Sequence, residues 1–246
     1  MLIALLSDIH ANLEALEACL RHARSRGAER YALLGDFVGY GADATAVVSV
    51  IERYASEGAI VLKGNHDQAI DKPTSWFNDA ARASLAWARE TLSPEQKRFL
   101  AELPLLHRDG ETCYAHASAA APERWEYVDS PTAARKCAAA AEASYTFCGH
   151  VHVPALFHLS AAGKVAGFDP VADVAVPLTP QRRWIAVIGA VGQPRDRNPA
   201  ACYALYDDSA RTLTYVRVPY DIETAQRKIR DAGLPPFLSA RLAWGR

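Results

Sequence analysis

The sequence predicts an α/β fold, parallel in its first half and strand-rich in its second. Three observations support this. Short apolar runs alternate with amphipathic helical stretches through the first 62 residues, and a βαβαβ rhythm implies parallel strands joined by right-handed crossovers. From Thr112 onward, apolar strand-like runs follow one another closely. Half of the 246 residues are apolar, enough for a substantial core without staples.

The elements follow in order. Leu2–Leu6 is a short apolar run ending in Ser7-Asp8, the pattern of a fully buried strand. Asn12–Arg26 carries Leu13, Leu16 and Leu20 at helical spacing and stops at Gly27. Arg30–Leu34 repeats the buried-strand pattern and ends in Gly35-Asp36; a helix over Asp43–Ser56 stops near Gly58, and a strand over Ala59–Leu62 runs into Lys-Gly-Asn-His-Asp. Residues Gln68–Pro104 break the rhythm. They are expected to form a cap-like insert: a loop with Trp76-Phe77-Asn78, then helices over Asp79–Thr91 and Pro94–Glu102, the second announced by Ser93-Pro94. Strands are expected at Thr112–His116, Tyr145–Cys148, Ala155–Leu159, Trp184–Ile188, Cys202–Tyr206 and Thr212–Val218. The Ala-rich stretch Pro131–Ala143 is helical by propensity. Asp221–Ala232 is a late helix, and Leu234-Pro-Pro begins an irregular tail. No repeat or linker appears, so residues 1–246 are expected to form a single domain.

Composition removes several function classes. Lys plus Arg number 27 and Asp plus Glu 28, a formal charge of −1, so charge gives no indication of a nucleic-acid partner. Five scattered cysteines without a CxxC pair argue against a disulfide framework or a zinc knuckle. Met1–Leu6 lacks the basic region of a signal peptide, and no apolar run approaches the roughly 20 residues that span a bilayer. A cytoplasmic protein with no membrane association is expected.

Chemistry-bearing residues gather at the strand ends. Asp8 and His10 follow the first strand, Asp36 the second, and Asn65-His66 the third; His116 ends a later strand and His150-Val-His152 follows another. If the segments are extended, residues two apart point the same way, so Asp8 with His10 and His150 with His152 can each address one metal. Carboxyl ends of parallel strands line up along one edge, where ligands bind. Carboxylates, an amide oxygen and imidazoles suit Mn²⁺, Fe or Zn²⁺. A lone Asp-x-His or Gly-His is more often a turn or a satisfied core group; the ordered set of clusters is restrictive. His22, His107 and His158 lack such company and are expected at the surface or in packing.

Ser7-Asp8-Ile9-His10, Gly35-Asp36, Gly64-Asn65-His66-Asp67, His116 and Gly149-His150-Val151-His152 resemble the five signature blocks of the calcineurin-like metallophosphoesterases. The resemblance implies a four-layer αββα sandwich of two mixed sheets flanked by helices. It also implies two metal ions, one held by Asp8, His10, Asp36 and His152, the other by Asp36, Asn65, His116 and His150, with Asp36 bridging. A hydroxide shared by the ions would attack a phosphoester, and His66 resembles the histidine that protonates the leaving oxygen. The alternative for His66 is merely to orient Asn65.

Gly35-Asp-Phe-Val-Gly-Tyr-Gly41, Phe77-Asn78 with Trp87, and Gly189-Ala-Val-Gly-Gln-Pro-Arg-Asp196 resemble a compact prokaryotic phosphodiesterase-like group. Gly39 and Tyr40 stand where Ser/Thr protein phosphatases carry Arg and the acidic partner of the acid histidine, so no partner for His66 can be named. Ala11, Ala117 and Ala190 depart from the group's usual Gly, Gly and Ser. The expected activity is a phosphodiesterase acting on a small or nucleotide-like phosphoester; alternatives are a phosphomonoesterase and a non-catalytic scaffold of the same fold. Arg195, Phe77 and Asn78 are substrate-binding candidates. For Arg195 the competing role is a loop-fastening ion pair with Asp196 or Asp169, and for Phe77 an anchor between insert and core.

Overall fold

The computed structural model describes all 246 residues. One six-stranded sheet has the order β3-β2-β1-β11-β12-β9, from strands β1 (Leu2–Leu6), β2 (Arg30–Leu33), β3 (Ile60–Val61), β9 (Ala175–Pro177), β11 (Ala201–Asp207) and β12 (Thr212–Val218). The other has the order β4-β5-β6-β10-β7-β8, from β4 (Leu106–Asp109), β5 (Thr112–Ala115), β6 (Tyr145–Cys148), β7 (Ala155–Ser160), β8 (Val165–Phe168) and β10 (Arg182–Val187). Each sheet is mixed. β1, β2 and β3 run parallel in the first, and β5, β6 and β10 in the second.

Period-2 alternation builds the layers. On β1, Ala4 and Leu6 face a large apolar cluster shared with helices α1 (Leu13–Ser25) and α2 (Ala44–Ser56), while Ile3 and Leu5 face the second sheet. On β10, Trp184 and Ala186 join the cluster between the sheets, and Ile185 and Val187 pack with Ala134, Cys137 and Ala138 of helix α6 (Pro131–Ala141). Three apolar clusters thus fill the three interfaces of a helix–sheet–sheet–helix stack, the expected four-layer sandwich.

Three departures from the sequence expectation have physical causes. A seven-residue helix α3 (Asn65–Asp71) opens directly on the third motif, where a loop was expected from Gln68. The strands β4, β8 and β9 are short and partly exposed, so they carry no buried apolar run to betray them. The expected irregular tail is helix α8 (Pro236–Trp244): Pro236 takes a first-turn position, where its missing N–H costs nothing, and Leu238 and Leu242 are buried. Helix α7 (Ile222–Asp231) precedes α8 and packs on α1.

Within the insert, helices α4 (Asp79–Thr91) and α5 (Pro94–Glu102) form where expected. Asn78 Oδ1 caps α4 by accepting from Ala81 N at 2.9 Å, and Ser93 with Gln96 makes a capping box on α5. Both helices pack on α2 and α3, which brings the 73–78 loop over the carboxyl ends of β1–β3. No helix is long and apolar enough to cross a membrane.

Candidate metal centre

All seven expected donors stand just beyond parallel strands, four after β1–β3 and three after β5 and β6, along one edge of the stacked sheets. Asp8, His10, Asp36 and His152 offer donor atoms within 4.8 Å of one another, as do Asp36, His116 and His150; Asp36 belongs to both sets. The residues are brought together as expected. The local geometry is not the extended one, however. Asp8, His10, Asp36, His150 and His152 have φ between +49° and +66°, the left-handed region. These side chains meet because β1, β2 and β6 each end in a left-handed turn, and such strain costs about 1 kcal/mol or more per residue. Ala11 also lies there, at φ +49°, which accounts for the glycine usual at that place in the group the sequence resembles.

Backbone contacts fix the donors before any ligand arrives. The Nδ1 atoms of His10, His116 and His152 lie 3.1, 2.8 and 2.7 Å from the carbonyls of Val38, Leu34 and Gln193. A carbonyl only accepts, so each Nδ1 carries the hydrogen and each Nε2 presents a lone pair inward. Asp36 Oδ1 accepts from the His66 amide at 2.8 Å and Asp8 Oδ2 from the His150 amide at 2.9 Å. The free atoms then face one another. His10 Nε2 and His152 Nε2 are 3.1 Å apart, and Asp8 Oδ1, buried without a hydrogen bond, is 3.2 Å from His152 Nε2. His116 Nε2 is 3.2 Å from both Asn65 Oδ1 and His150 Nδ1, and Asp36 Oδ2 lies 3.6 Å from His10 Nε2 and 3.4 Å from His116 Nε2. Converging acceptors with no donor among them are a poor hydrogen-bond network and a good cation site. The donor set therefore fits metal ions.

Gly149 allows this convergence: a Cβ there would lie 1.8 Å from Ser7 Oγ and 2.5 Å from Asp8 Oδ2. Asp67 supports the centre from beneath, accepting at 2.8 Å from the amides of Asp36, Phe37 and Gly64. Burial and the neighbouring Asp36 raise its carboxyl to about 7 against the pull of those amides. Burial also works to raise Asp8, but His152 beside it holds the carboxyl well below the usual range. Burial opposes charge at His116 too, yet Asp36 lifts it to about 9, so at neutral pH a proton competes with a cation for the Nε2 lone pair. His150 is lowered to about 3 by burial and by His116.

His66 sits apart from the donors. Its ring lies 4.7 Å from His10, 4.6 Å from Tyr40 and 4.8 Å from Phe77, and its Nδ1 is buried with no partner. No side-chain hydrogen bond links it to Asn65. The partner absent from the sequence is also absent in space: a Cβ on Gly39 would stand 2.3 Å from His66 Nδ1, so the ring fills the place a side chain would need. Burial lowers His66 to about 4.

A cleft of about 400 Å³ opens over Asp36, Asn65, His66, His150 and His152. Arg195 and Asn78 reach it as expected, with Trp76 and Phe77 on the same wall. Arg195 makes no ion pair with Asp196 or Asp169. Asp196 pairs with Arg217, while Arg195 Nη2 bonds Gln193 Oε1 at 3.2 Å and approaches the Tyr40 hydroxyl at 3.5 Å. Phe77 is only 7% exposed and packs in the core cluster, whereas Trp76, stacked on it at 4.2 Å, is 59% exposed. Sequence reasoning missed Tyr127, which lies flat on His150 at 4.3 Å, and Phe237 and Arg241 of α8. No sequence signal marked the last two, because the segment carrying them looked irregular.

The fold and the double donor set define a class of protein, and residues 1–210 match the model of the calcineurin-like phosphoesterase superfamily domain; the chain belongs to that superfamily. Over its whole length it is 32% identical to an uncharacterized protein, MJ0912, of Methanocaldococcus jannaschii, covering 98% of that protein. The crystal structure of a metallophosphoesterase from Sphaerobacter thermophilus matches with a TM-score of 0.88 at 36% identity, covering 100% of this chain and 99% of that one. The hypothetical protein PH1004 from Pyrococcus horikoshii OT3 shares the fold, with a TM-score of 0.80 at 21% identity and coverage of 100% and 98%.

Proposed function

We propose that the chain is a dinuclear-metal phosphodiesterase, working as one unit over residues 1–246 with 68–104 as its cap. Asp8, His10, Asp36 and His152 hold one ion; Asp36, Asn65, His116 and His150 hold the other. Mn²⁺, Fe and Zn²⁺ suit a donor set of imidazole, carboxylate and amide oxygen. The observation that carries this reading is Asp36, whose Oδ2 lies between His10 Nε2 and His116 Nε2 and is shared by both donor sets. When bound, such a pair lowers the pKa of a shared water and neutralises charge on phosphoryl oxygens.

The chain's own residues do the rest. Arg195 offers N–H donors to the non-bridging oxygens, adding charge complementary to the transition state. His66 gives a proton to the leaving oxygen. Burial keeps its imidazole neutral in the free site, and the negative charge of a bound phosphoester works against burial there. Asn78 has Oδ1 committed to capping α4, which leaves its amide N–H groups for a substrate oxygen. Phe77 braces the His66 ring and presents Trp76 to the substrate. Five buried, unpaired cysteines accord with a reducing, cytoplasmic setting.

Elemental analysis with turnover of matched aryl diesters and monoesters tests the proposal. Two ions per chain and a higher kcat/KM on the diester are expected. Preference for the monoester would make the protein a phosphatase, and inactivity at full metal content would leave a scaffold.

A further inference from the structure

Two cations crowd one aromatic ring at the cleft wall. The Arg195 guanidinium lies 5.8 Å and that of Arg241 5.9 Å from the centre of the Tyr40 ring, which is itself 4.6 Å from both His10 and His66. Arg241 also lies over Phe237 at 5.1 Å, so two aromatic rings flank it. Neither guanidinium has a side-chain carboxylate partner: Arg195 Nη2 bonds Gln193 Oε1, and Arg241 Nε bonds the main-chain oxygen of Arg246, which leaves the two Nη groups of Arg241 uncommitted. Among other half-buried cations, Arg217 pairs with Asp196 and Lys228 with Glu14 and Asp43, while Lys63 and Arg89 are satisfied by main-chain carbonyls. Arg195 Nε is shielded from water without any acceptor. Burial and the neighbouring Arg195 both lower Arg241, to about 10. Like charges brought together out of water are unfavourable until an anion joins them.

A phosphodiester carries one negative charge at the reacting phosphorus, and Arg195 beside the metal centre suffices to meet it. Arg241 is surplus to that need. It also arises outside the common frame of the superfamily, since the family model ends at residue 210 and α8 begins at Pro236. A cation added by a peripheral helix, set between two aromatic rings and with both Nη groups uncommitted, is suited to recognition rather than to chemistry.

We propose that Arg241, with Arg195 across Tyr40, forms a subsite for a second phosphate, and that the substrate is a phosphoester bearing one. This rests on the phosphoesterase reading for which phosphate is attacked, but the subsite itself can be tested by binding alone.

Calorimetric titration of Mn²⁺-reconstituted protein with thymidine 5′-monophosphate and thymidine 3′,5′-bisphosphate compares one phosphate with two. The bisphosphate is expected to bind about tenfold more tightly, the gain of one well-placed charged contact. Arg241→Gln should shrink that gap to about twofold, and Arg241→Lys should keep part of it, because the charge remains and the planar fork is lost. Arg227→Gln, an exposed position on α7, should leave it intact. Equal binding of the two nucleotides by the wild type, or a gap that survives Arg241→Gln, overturns the subsite. Added KCl gives an arm that needs no variant. It should weaken the bisphosphate more steeply than the monophosphate, and parallel weakening overturns the subsite as well. Turnover of bis(p-nitrophenyl) phosphate is measured on the same samples. Inactivity there counts against the phosphodiesterase reading, whereas a bisphosphate preference lost in Arg241→Gln still upholds the subsite.

Discussion

The floor of the cleft and its walls are held in place by different means. On the floor, three imidazoles are tied through Nδ1 to main-chain carbonyls and two carboxylates to main-chain amides, all within buried strand ends. On the walls, Trp76, Tyr127 and Phe237 are 59, 50 and 57% exposed and come from a loop, a connection and the terminal helix. A donor fixed by backbone hydrogen bonds stays in place when its neighbours change, and a half-exposed side chain does not. The possible metal ligands are thus placed by the parallel strands, and the cleft walls by elements that can vary without disturbing them.

The largest expected effect comes from breaking the floor at its shared point. Asp36→Asn keeps the shape but removes the negative charge between the two donor sets. It should lose both ions and reduce turnover by about 10³-fold or more, because each ion loses a ligand and the charge that offsets its neighbour. Metal content by elemental analysis checks this; full occupancy of both sites would show that Asp36 does not join them.

His66 stands between floor and wall, so its loss separates chemistry from metal binding. His66→Ala should retain both ions and lose about 10²–10⁴-fold in kcat on alkyl leaving groups, but far less on nitrophenolate, which needs little protonation. A leaving-group series on the reconstituted variant decides it. A uniform loss would mean that His66 only positions the substrate.

How much of this was legible depended on the same division. Floor residues announce themselves because polar groups directly after buried apolar runs, as in Leu6-Ser7-Asp8 and Leu34-Gly35-Asp36, must sit at strand ends. Their left-handed turns were not legible, since nothing in a non-glycine residue declares a positive φ. The helices α4 and α5 were marked by Asn78 and Ser93-Pro94, whose capping chemistry is local. The helix α8 was hidden, because Leu234-Pro-Pro suggests a break and its two buried leucines make only a weak stripe. With it went Arg241 and Phe237. Tyr127 was missed for another reason: its role depends on lying flat against His150, a contact between loops that no periodicity encodes.

On the wall itself, Arg195→Lys tests whether the planar fork matters. The guanidinium bonds Gln193 and approaches Tyr40 rather than an acid, so no ion pair fastens the loop. Lysine keeps the charge and loses bidentate geometry, and kcat/KM should fall about 30-fold, the equivalent of ~2 kcal/mol for charge-assisted hydrogen bonds to phosphate. Metal content and Tm should hold. Wild-type kinetics would leave Arg195 structural.

The smallest effect sharpens the contrast within one stacked pair. Trp76 and Phe77 are neighbours 4.2 Å apart on the cleft wall, yet one is largely exposed and the other packs mostly into the core. If exposure decides the role, Trp76→Ala should raise KM about fivefold for nucleotide-like esters, near the low end of base–aromatic stacking because the ring is solvated. It should barely affect small aryl esters, and Tm should not move. Phe77→Ala should do the reverse. It removes packing beneath the loop and beside the His66 ring, so Tm falls and kcat drops modestly, while KM changes alike for both substrate classes. Melting curves and the two KM values for each variant separate the roles. A nucleotide-selective KM change in Phe77→Ala, with Tm unmoved, would assign the substrate contact to the buried ring and erase the distinction between floor and wall at this loop.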